Sequence, residues 1–283
     1  MKEPVNNTGN TGRANDYVLG HSDRELGRLM TQARIIDPIT LRFFSKAGLT
    51  PGMRVLDVGC GAGDVAFLAA KLVGETGEVV GVDRVPAAVA AATERAAALS
   101  LSNVSFRVGD PAEMEFDQPF DAVIGRYVLQ FQADPATMIR KLTAHVRSGG
   151  LVAFHEISWG GFWSHPPVPT YDRCCQWAIN TLRLHGTETQ MGVKLNETFV
   201  KADLPPPTMC LEALIGSGTI SAGELFLTVE LVATLLPEME RLGVATATEV
   251  GLESLSERIQ NEAIASSSVI LGRYQVGAWS RVK

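Results

Sequence analysis

The chain has 283 residues, room for one enlarged α/β domain or a domain with a lid. With 46% hydrophobic and 20% charged residues it reads as an ordinary soluble globular protein, and a formal net charge of −6 argues against a nucleic-acid partner. Four cysteines (Cys60, Cys174, Cys175 and Cys210) lack zinc-ligand spacing and suggest no disulfide framework, while the best apolar run, Leu225 to Leu236, is broken by Glu230 and falls short of the roughly 18 residues of a membrane span. A cytoplasmic protein with no membrane partner is the expectation.

Residues 1–16, rich in Asn, Thr and Gly, read as a disordered tail without the apolar segment of a signal peptide. Ser22-Asp23-Arg24-Glu25 has the spacing of a capping box and opens a helix with Leu26, Leu29, Met30 and Ala33 on one side. Glu25, Arg28 and Gln32 share the other side. Asp37-Pro38 starts a second helix that Gly48 ends, so residues 17–52 form a pair of cap helices ahead of a main domain over 53–283.

Val55 to Val58 is an apolar run of the kind found in buried parallel strands. It leads into Gly59-Cys60-Gly61-Ala62-Gly63-Asp64, where three alternate glycines let the backbone turn sharply and approach a ligand. Asp64 is placed to cap the helix that follows, Val65 to Val73, and strand, turn and helix N-terminus together suit a nucleotide-like ligand. A dinucleotide fingerprint needs its third glycine at position 64, where this chain has Asp64. Asp57, two residues before the first glycine, sits awkwardly beside a pyrophosphate but suits an ammonium group. S-adenosylmethionine carries that ammonium and no phosphate.

The string Val-Leu-Asp-Val-Gly-Cys-Gly-Ala-Gly resembles the first motif of class I S-adenosylmethionine-dependent methyltransferases of the small-molecule type. The resemblance implies a seven-stranded, mostly parallel Rossmann-like α/β sheet with one reversed strand near its edge, helices on both faces and inserted lid helices. It also implies that Asp57, Gly59, Cys60, Gly61 and Gly63 surround the cofactor. In related enzymes an N-terminal helix closes over the site, which makes Tyr17, Arg28 and Gln32 candidates for the methionine carboxylate or the substrate.

The second strand, Glu78 to Val82, ends in Asp83-Arg84, and an acid at this tip is where the fold hydrogen-bonds a ribose diol. Pro86 begins an alanine-rich helix to about Leu99. Val104 to Val108 is a third strand running into Gly109-Asp110-Pro111-Ala112, which resembles the adenine-binding motif. Phe120 to Ile124 is a fourth strand, followed by Arg126-Tyr127 where the family places the sulfonium. No Asn-Pro-Pro-Tyr sequence stands there, and no acidic pair to hold a divalent ion, so the resemblance implies metal-free chemistry on a small acceptor.

A helix from Pro135 to about Val146 and a tight Ser148-Gly149-Gly150 turn precede a fifth strand, Leu151 to Phe154, ending in His155-Glu156. Polar groups at that end lie at the ligand crevice, and His155 and Glu156 are the candidates for handling the acceptor's proton. Strand alternation allows only one of them to face the crevice. His165 and Tyr127 are outside candidates. Residues 158–189 are aromatic-rich, with Trp159, Phe162 and Trp163, and read with 222–265 as lid insertions over an apolar acceptor pocket. Lys194 to Leu204 reads as a helix and Met209 to Ile215 as a strand; two helices split by Pro237 and Gly243 to Gly251 fill 222–265, and a last strand runs Val269 to Val282.

Methyl transfer to a small organic acceptor is the function this pattern favours, oxygen ahead of carbon or nitrogen. Two rivals stand beside it: a methyltransferase-like scaffold without methyl transfer, as a cyclase or binding module, and a nicotinamide-dependent oxidoreductase. Oligomeric state is not legible in the sequence.

Overall fold

The computed structural model describes residues 23–160, 163–217 and 222–283, with side chains from Ala33 onward. Strand alternation organises it. In β1 (Arg54–Val58), Val55 joins one apolar layer and Leu56 and Val58 the other, because successive side chains leave opposite faces of a sheet. β2 (Glu78–Asp83), β3 (Val104–Val108), β4 (Phe120–Arg126) and β5 (Val146–Ser158) run parallel to it. β10 (Tyr274–Arg281) is antiparallel both to β5 and to β7 (Thr208–Glu212), and the sheet order is β3-β2-β1-β4-β5-β10-β7. This is the expected seven-stranded, mostly parallel sheet, with β10 as the reversed strand next to the edge.

One face carries α1 (Asp23–Ala47) and α2 (Asp64–Val73): Phe43, Phe44, Val65, Ala66 and Ala69 pack on Val55, Val79, Ile124 and Ala153. The other carries α4 (Pro135–Thr143) and α6 (Met191–Lys201), whose Ile139, Leu142, Leu195 and Phe199 meet Leu56, Val123, Val152 and Phe154. α3 (Pro86–Ala98) covers β2 and β3. A third apolar cluster belongs to α5 (Pro169–Leu184), α7 (Ala222–Arg241), α8 (Ala247–Val250) and α9 (Leu252–Ala265). With it sits a small sheet of β6 (Ser164–His165), β9 (Val269–Leu271) and β8 (Ile215–Ser217).

Several boundaries differ from expectation. Pro38 does not open a second helix; it lies inside the continuous α1. A proline there forfeits about 3 kcal/mol. Burial of Ala33, Ile36, Ile39, Phe43 and Phe44 against the sheet outweighs that loss, and Pro38 itself is exposed. Pro237 likewise lies within α7. Gly149-Gly150 is not a turn ahead of the strand but an irregularity within β5, where the pairing with β4 shifts register between Phe120 and Ala122. β5 continues beyond Phe154 to Ser158 because β10 hydrogen-bonds alongside it, with His155 opposite Gly277 and Glu156 opposite Val276. The expected last strand is two strands, β9 and β10, in different sheets, and the expected Met209 to Ile215 strand is divided between β7 and β8 in the same way.

Candidate functional site

The glycine turn lies at the carboxyl end of β1, between β2 and β4. Gly59, Gly61 and Gly63 all have positive φ, at +64°, +53° and +90°, which L side chains adopt only with strain. Side chains at two of them would collide with the protein: with Val128 at Gly59, and with Phe67 and Phe106 at Gly63. At Gly61 a Cβ would meet none of the described residues within 4 Å. The turn therefore packs against the fold at both ends and opens to free space in the middle.

Asp64 does not cap α2. Gly63 occupies the N-cap position without a side-chain bond, and Asp64 instead accepts from Arg95 Nη2 at 2.7 Å. Asp57 lies beneath the turn, 1% exposed, and neither of its carboxylate oxygens has a hydrogen-bond partner among the described residues. Burial raises its pKa well above the usual carboxylate range, while the Arg126 charge pulls it down. The Ala66 backbone N–H offers partial compensation without reaching hydrogen-bond geometry. Cys60 is buried, its Sγ 3.8 Å from the Gly61 carbonyl, and burial raises its pKa, so it is an inert thiol.

Asp83 at the tip of β2 accepts from Gly61 N and Val85 N, both at 2.9 Å, and so holds the glycine turn against the start of α3. Each oxygen keeps a lone pair for a further donor such as a ribose hydroxyl. Asp110 follows β3, accepts from Ala112 N at 3.0 Å and is ion-paired with the exposed Arg84. Pro111 is buried behind it.

Arg126 ends β4, but its guanidinium turns toward α1. Nη1 donates to Asp37 Oδ1 at 2.8 Å and to Thr40 Oγ1 at 3.0 Å. Tyr127 adopts a left-handed backbone, φ +59°, a strained state that collects at functional sites. Its hydroxyl donates to Gln275 Oε1, and burial pushes its pKa up to about 12.

His155 and Glu156 point to opposite faces, as alternation requires. His155 faces α1. Gln275 Oε1 takes hydrogen bonds from both Tyr127 and His155 Nε2 (2.9 Å), which leaves Nδ1 as the acceptor, 3.1 Å from the Thr40 hydroxyl. Burial, with Arg126 nearby, lowers its pKa to about 3. The ring is therefore neutral, tethered at both nitrogens and 1% exposed. Glu156 faces α4 and α6. Its Oε1 accepts from Val128 N at 2.8 Å and Leu129 N at 2.7 Å, the entry of a single 3-10 turn at Leu129–Phe131. Burial pushes its pKa up to about 8, and Oε2 has no partner among the described residues. Both side chains lie inside β5 rather than past its end, which is why neither is open to solvent.

His165 lies in β6, in the small sheet that sits with the third apolar cluster. Tyr17 lies outside the described residues, and the side chains of Arg28 and Gln32 do as well. Sequence reasoning missed Asp37, Thr40 and Gln275, which tie α1, β4, β5 and β10 into one polar network. Gln275 alone left a signal, a polar residue ahead of the apolar strand run Val276 to Ala278. Among the described residues no cluster of three His, Cys, Asp or Glu could hold a metal, and no helix is long and apolar enough to cross a membrane.

The order of the strands and the glycine turn at the end of β1 define the Rossmann-like α/β class to which class I methyltransferases belong. The family described as "Methyltransferase domain" matches residues 49–191, and the chain belongs to that family, whose members use S-adenosylmethionine. The chain is 41% identical over 109 residues to a 2-phytyl-1,4-naphtoquinone methyltransferase of Synechococcus elongatus, 38% of this chain and 47% of that protein. It is 31% identical over 155 residues to the nocamycin O-methyltransferase of Saccharothrix syringae, 54% of this chain and 51% of that one. The chain thus spans about half the length of the curated relatives it matches. Among solved structures, geranyl diphosphate C-methyltransferase from Streptomyces coelicolor A3(2) superposes with a TM-score of 0.56 at 17% identity, over 95% of this chain and 88% of that one. At that identity the likeness concerns the fold.

Proposed function

We propose that the protein transfers a methyl group from S-adenosylmethionine to a small organic acceptor, with oxygen the favoured atom. The observation that carries this is the glycine turn, open at Gly61 above the unpartnered, buried Asp57. A ligand with a cationic amino-acid end and no phosphate fits it. In this reading Asp57 attracts the ammonium, Asp83 takes the ribose diol, and Asp110 with Ala112 flanks the adenine. When bound, the cofactor supplies an activated methyl on a sulfonium.

The chain's own residues then contribute alignment and exclusion of water, worth up to about 7–11 kcal/mol in well-oriented reactions. Tyr127, in its left-handed conformation, stands where the family keeps the sulfonium. His155 works as a positioning residue: by holding Gln275 and Thr40 it locks Tyr127 and α1 around the cleft. Glu156, buried on the opposite face and protonated near neutrality, orders the turn at Val128 and Leu129 through Oε1 and is not free to take up the acceptor's proton. One relative is named for a naphthoquinone and another for O-methylation, which supports a quinone-like acceptor methylated on oxygen.

Calorimetry with S-adenosylhomocysteine tests the cofactor half. Binding by the parent chain and its loss in Gly61→Val are expected, since a branched side chain at φ +53° would both strain the turn and fill the opening. Unchanged binding in a folded Gly61→Val chain removes the turn from the site. A search for +14 Da products tests the other half, and cofactor binding with no methylated product would favour the scaffold reading.

A further inference from the structure

Beyond the cofactor turn lies a second set of buried polar groups with no role in the reading above. Arg273 stands at the entrance to β10, and because β10 runs against β5 this entrance is at the carboxyl edge of the parallel strands. Its side chain is 11% exposed, and its guanidinium carbon lies 5.3 Å from the centre of the Trp159 ring. Glu224 of α7 is its counter-ion, with Oε1 3.4 Å from Nε, an ion pair outside hydrogen-bond geometry. Nε has no hydrogen-bond partner among the described residues. Glu224 is already engaged: Thr228 donates to Oε1 at 3.3 Å, Tyr171 at 3.5 Å, and the Arg273 backbone N–H also points to it. Position 272 must be glycine for this approach, because a Cβ there would lie 2.5 Å from the Glu224 carboxylate.

Two indole donors lie nearby in the chain. Trp159 is 2% exposed and follows β5 directly; neither its Nε1 nor that of Trp163, whose carbonyl accepts from Leu271 N two residues before Arg273, has a partner among the described residues. The Arg273 charge also acts on Tyr127. Arg273 Nε and the two indole N–H groups thus have no hydrogen-bond acceptor among the described residues. Buried donors left without acceptors are costly, so this set suits an incoming oxygen that accepts several hydrogen bonds and carries negative charge. Trp159 and Tyr171 belong to the apolar cluster of this region, and Tyr127 and Trp163 pack against it, so flat apolar surface is at hand.

We propose that Arg273, with Trp159 and Trp163, is the acceptor-orienting subsite, and that it takes a flat ring compound bearing an ionised ring oxygen, a phenolate or enolate. This rests on reading the cleft as the cofactor and acceptor site. It accounts for an active site whose histidine is tethered and neutral: an acceptor that ionises by its own acidity beside Arg273 needs no imidazole base.

The test uses 2-hydroxy-1,4-naphthoquinone, ionised at neutral pH, and neutral 2-methyl-1,4-naphthoquinone, titrated into the S-adenosylhomocysteine complex by calorimetry and tryptophan fluorescence. The parent chain should favour the ionised probe by about ten- to a hundredfold, the range of a charge-assisted hydrogen bond. Arg273→Met should erase that preference and Arg273→Lys retain part of it. Because Arg273→Met strands Glu224, Arg273→Met/Glu224→Gln is measured beside it, with unchanged S-adenosylhomocysteine affinity as proof of fold. No preference in the parent chain, or a preference that survives both Met variants, overturns the subsite. Failure of the parent chain to bind S-adenosylhomocysteine would instead overturn the cofactor reading.

Discussion

Asp57 shows how one side chain can carry a binding argument without touching a ligand. Its carboxylate is covered, raised in pKa by burial and without a partner among the described residues. On the proposed reading, a cation arriving over Gly59 relieves that energy. Asp57→Asn should therefore weaken S-adenosylhomocysteine about tenfold while leaving 5′-methylthioadenosine, which lacks the amino-acid end, within about twofold. Calorimetry with both ligands decides it, and equal losses would assign Asp57 to the turn rather than to the ammonium. Glu156 gives a pH prediction of definite sign. Its pKa rises from 4.5 to about 8 on folding. The folded chain thus holds this proton more tightly, and the associated stability is full below the unfolded pKa and lost as pH climbs through the folded one. The slope is up to about 1.4 kcal/mol per pH unit. Glu156→Gln keeps an acceptor for Val128 and Leu129 but cannot ionise, so between pH 5 and 8 it should lose less thermal stability than the parent. Parallel melting curves across that range would refute the shift. His155 has the opposite sign, gaining stability as pH rises from about 3 toward its ordinary 6.5, and being present in both chains it cancels in this comparison.

At the scale of elements, α1 is what joins the cap to the sheet. It is fastened twice: by the Asp37 and Thr40 contacts to Arg126 and His155, and by Phe43 lying over Gly277 of β10. A Cβ on Gly277 would stand 1.4 Å from the Phe43 ring, so the helix sits this close only because position 277 is glycine. Gly277→Ala must lift α1 or displace the ring, with a loss at the upper end of the about 1–3 kcal/mol typical of overpacking. Chemical denaturation measures it, and Phe43→Leu in the same chain should restore part of the stability. A Gly277→Ala chain as stable as the parent would mean that α1 is not held by this contact.

For the molecule as a whole, the segments proposed as a lid have a core of their own. Tyr171, Cys174 and Ile179 of α5 pack with Leu231, Leu235 and Met239 of α7 and Leu255 and Ile259 of α9, apart from both faces of the sheet. A cluster of that kind can open as a unit. Hydrogen exchange should show α5, α7 and α9 less protected than β1, β4 and β5 in the free protein, and more protected once S-adenosylhomocysteine and an acceptor are present. Equal protection in the two states would make the lid fixed packing.

What the sequence determined alone was local or periodic. Val55 to Val58, the glycines at 59, 61 and 63, Asp83 at a strand tip and Asp110 after the next strand are set by backbone sterics and strand period, and these placed the sheet and the cofactor turn. Alternation also put His155 and Glu156 on opposite faces before any coordinates. Tertiary structure decided what surrounds each charge. Whether His155 is a base or a tethered strut depends on Thr40 and Gln275, 115 and 120 residues away. Pro38 inside α1, β5 prolonged by β10, and Arg273 facing Glu224 likewise arise from burial and strand pairing between distant segments. Desolvation and long-range contacts are properties of the assembled interior, and no short stretch of chain encodes them.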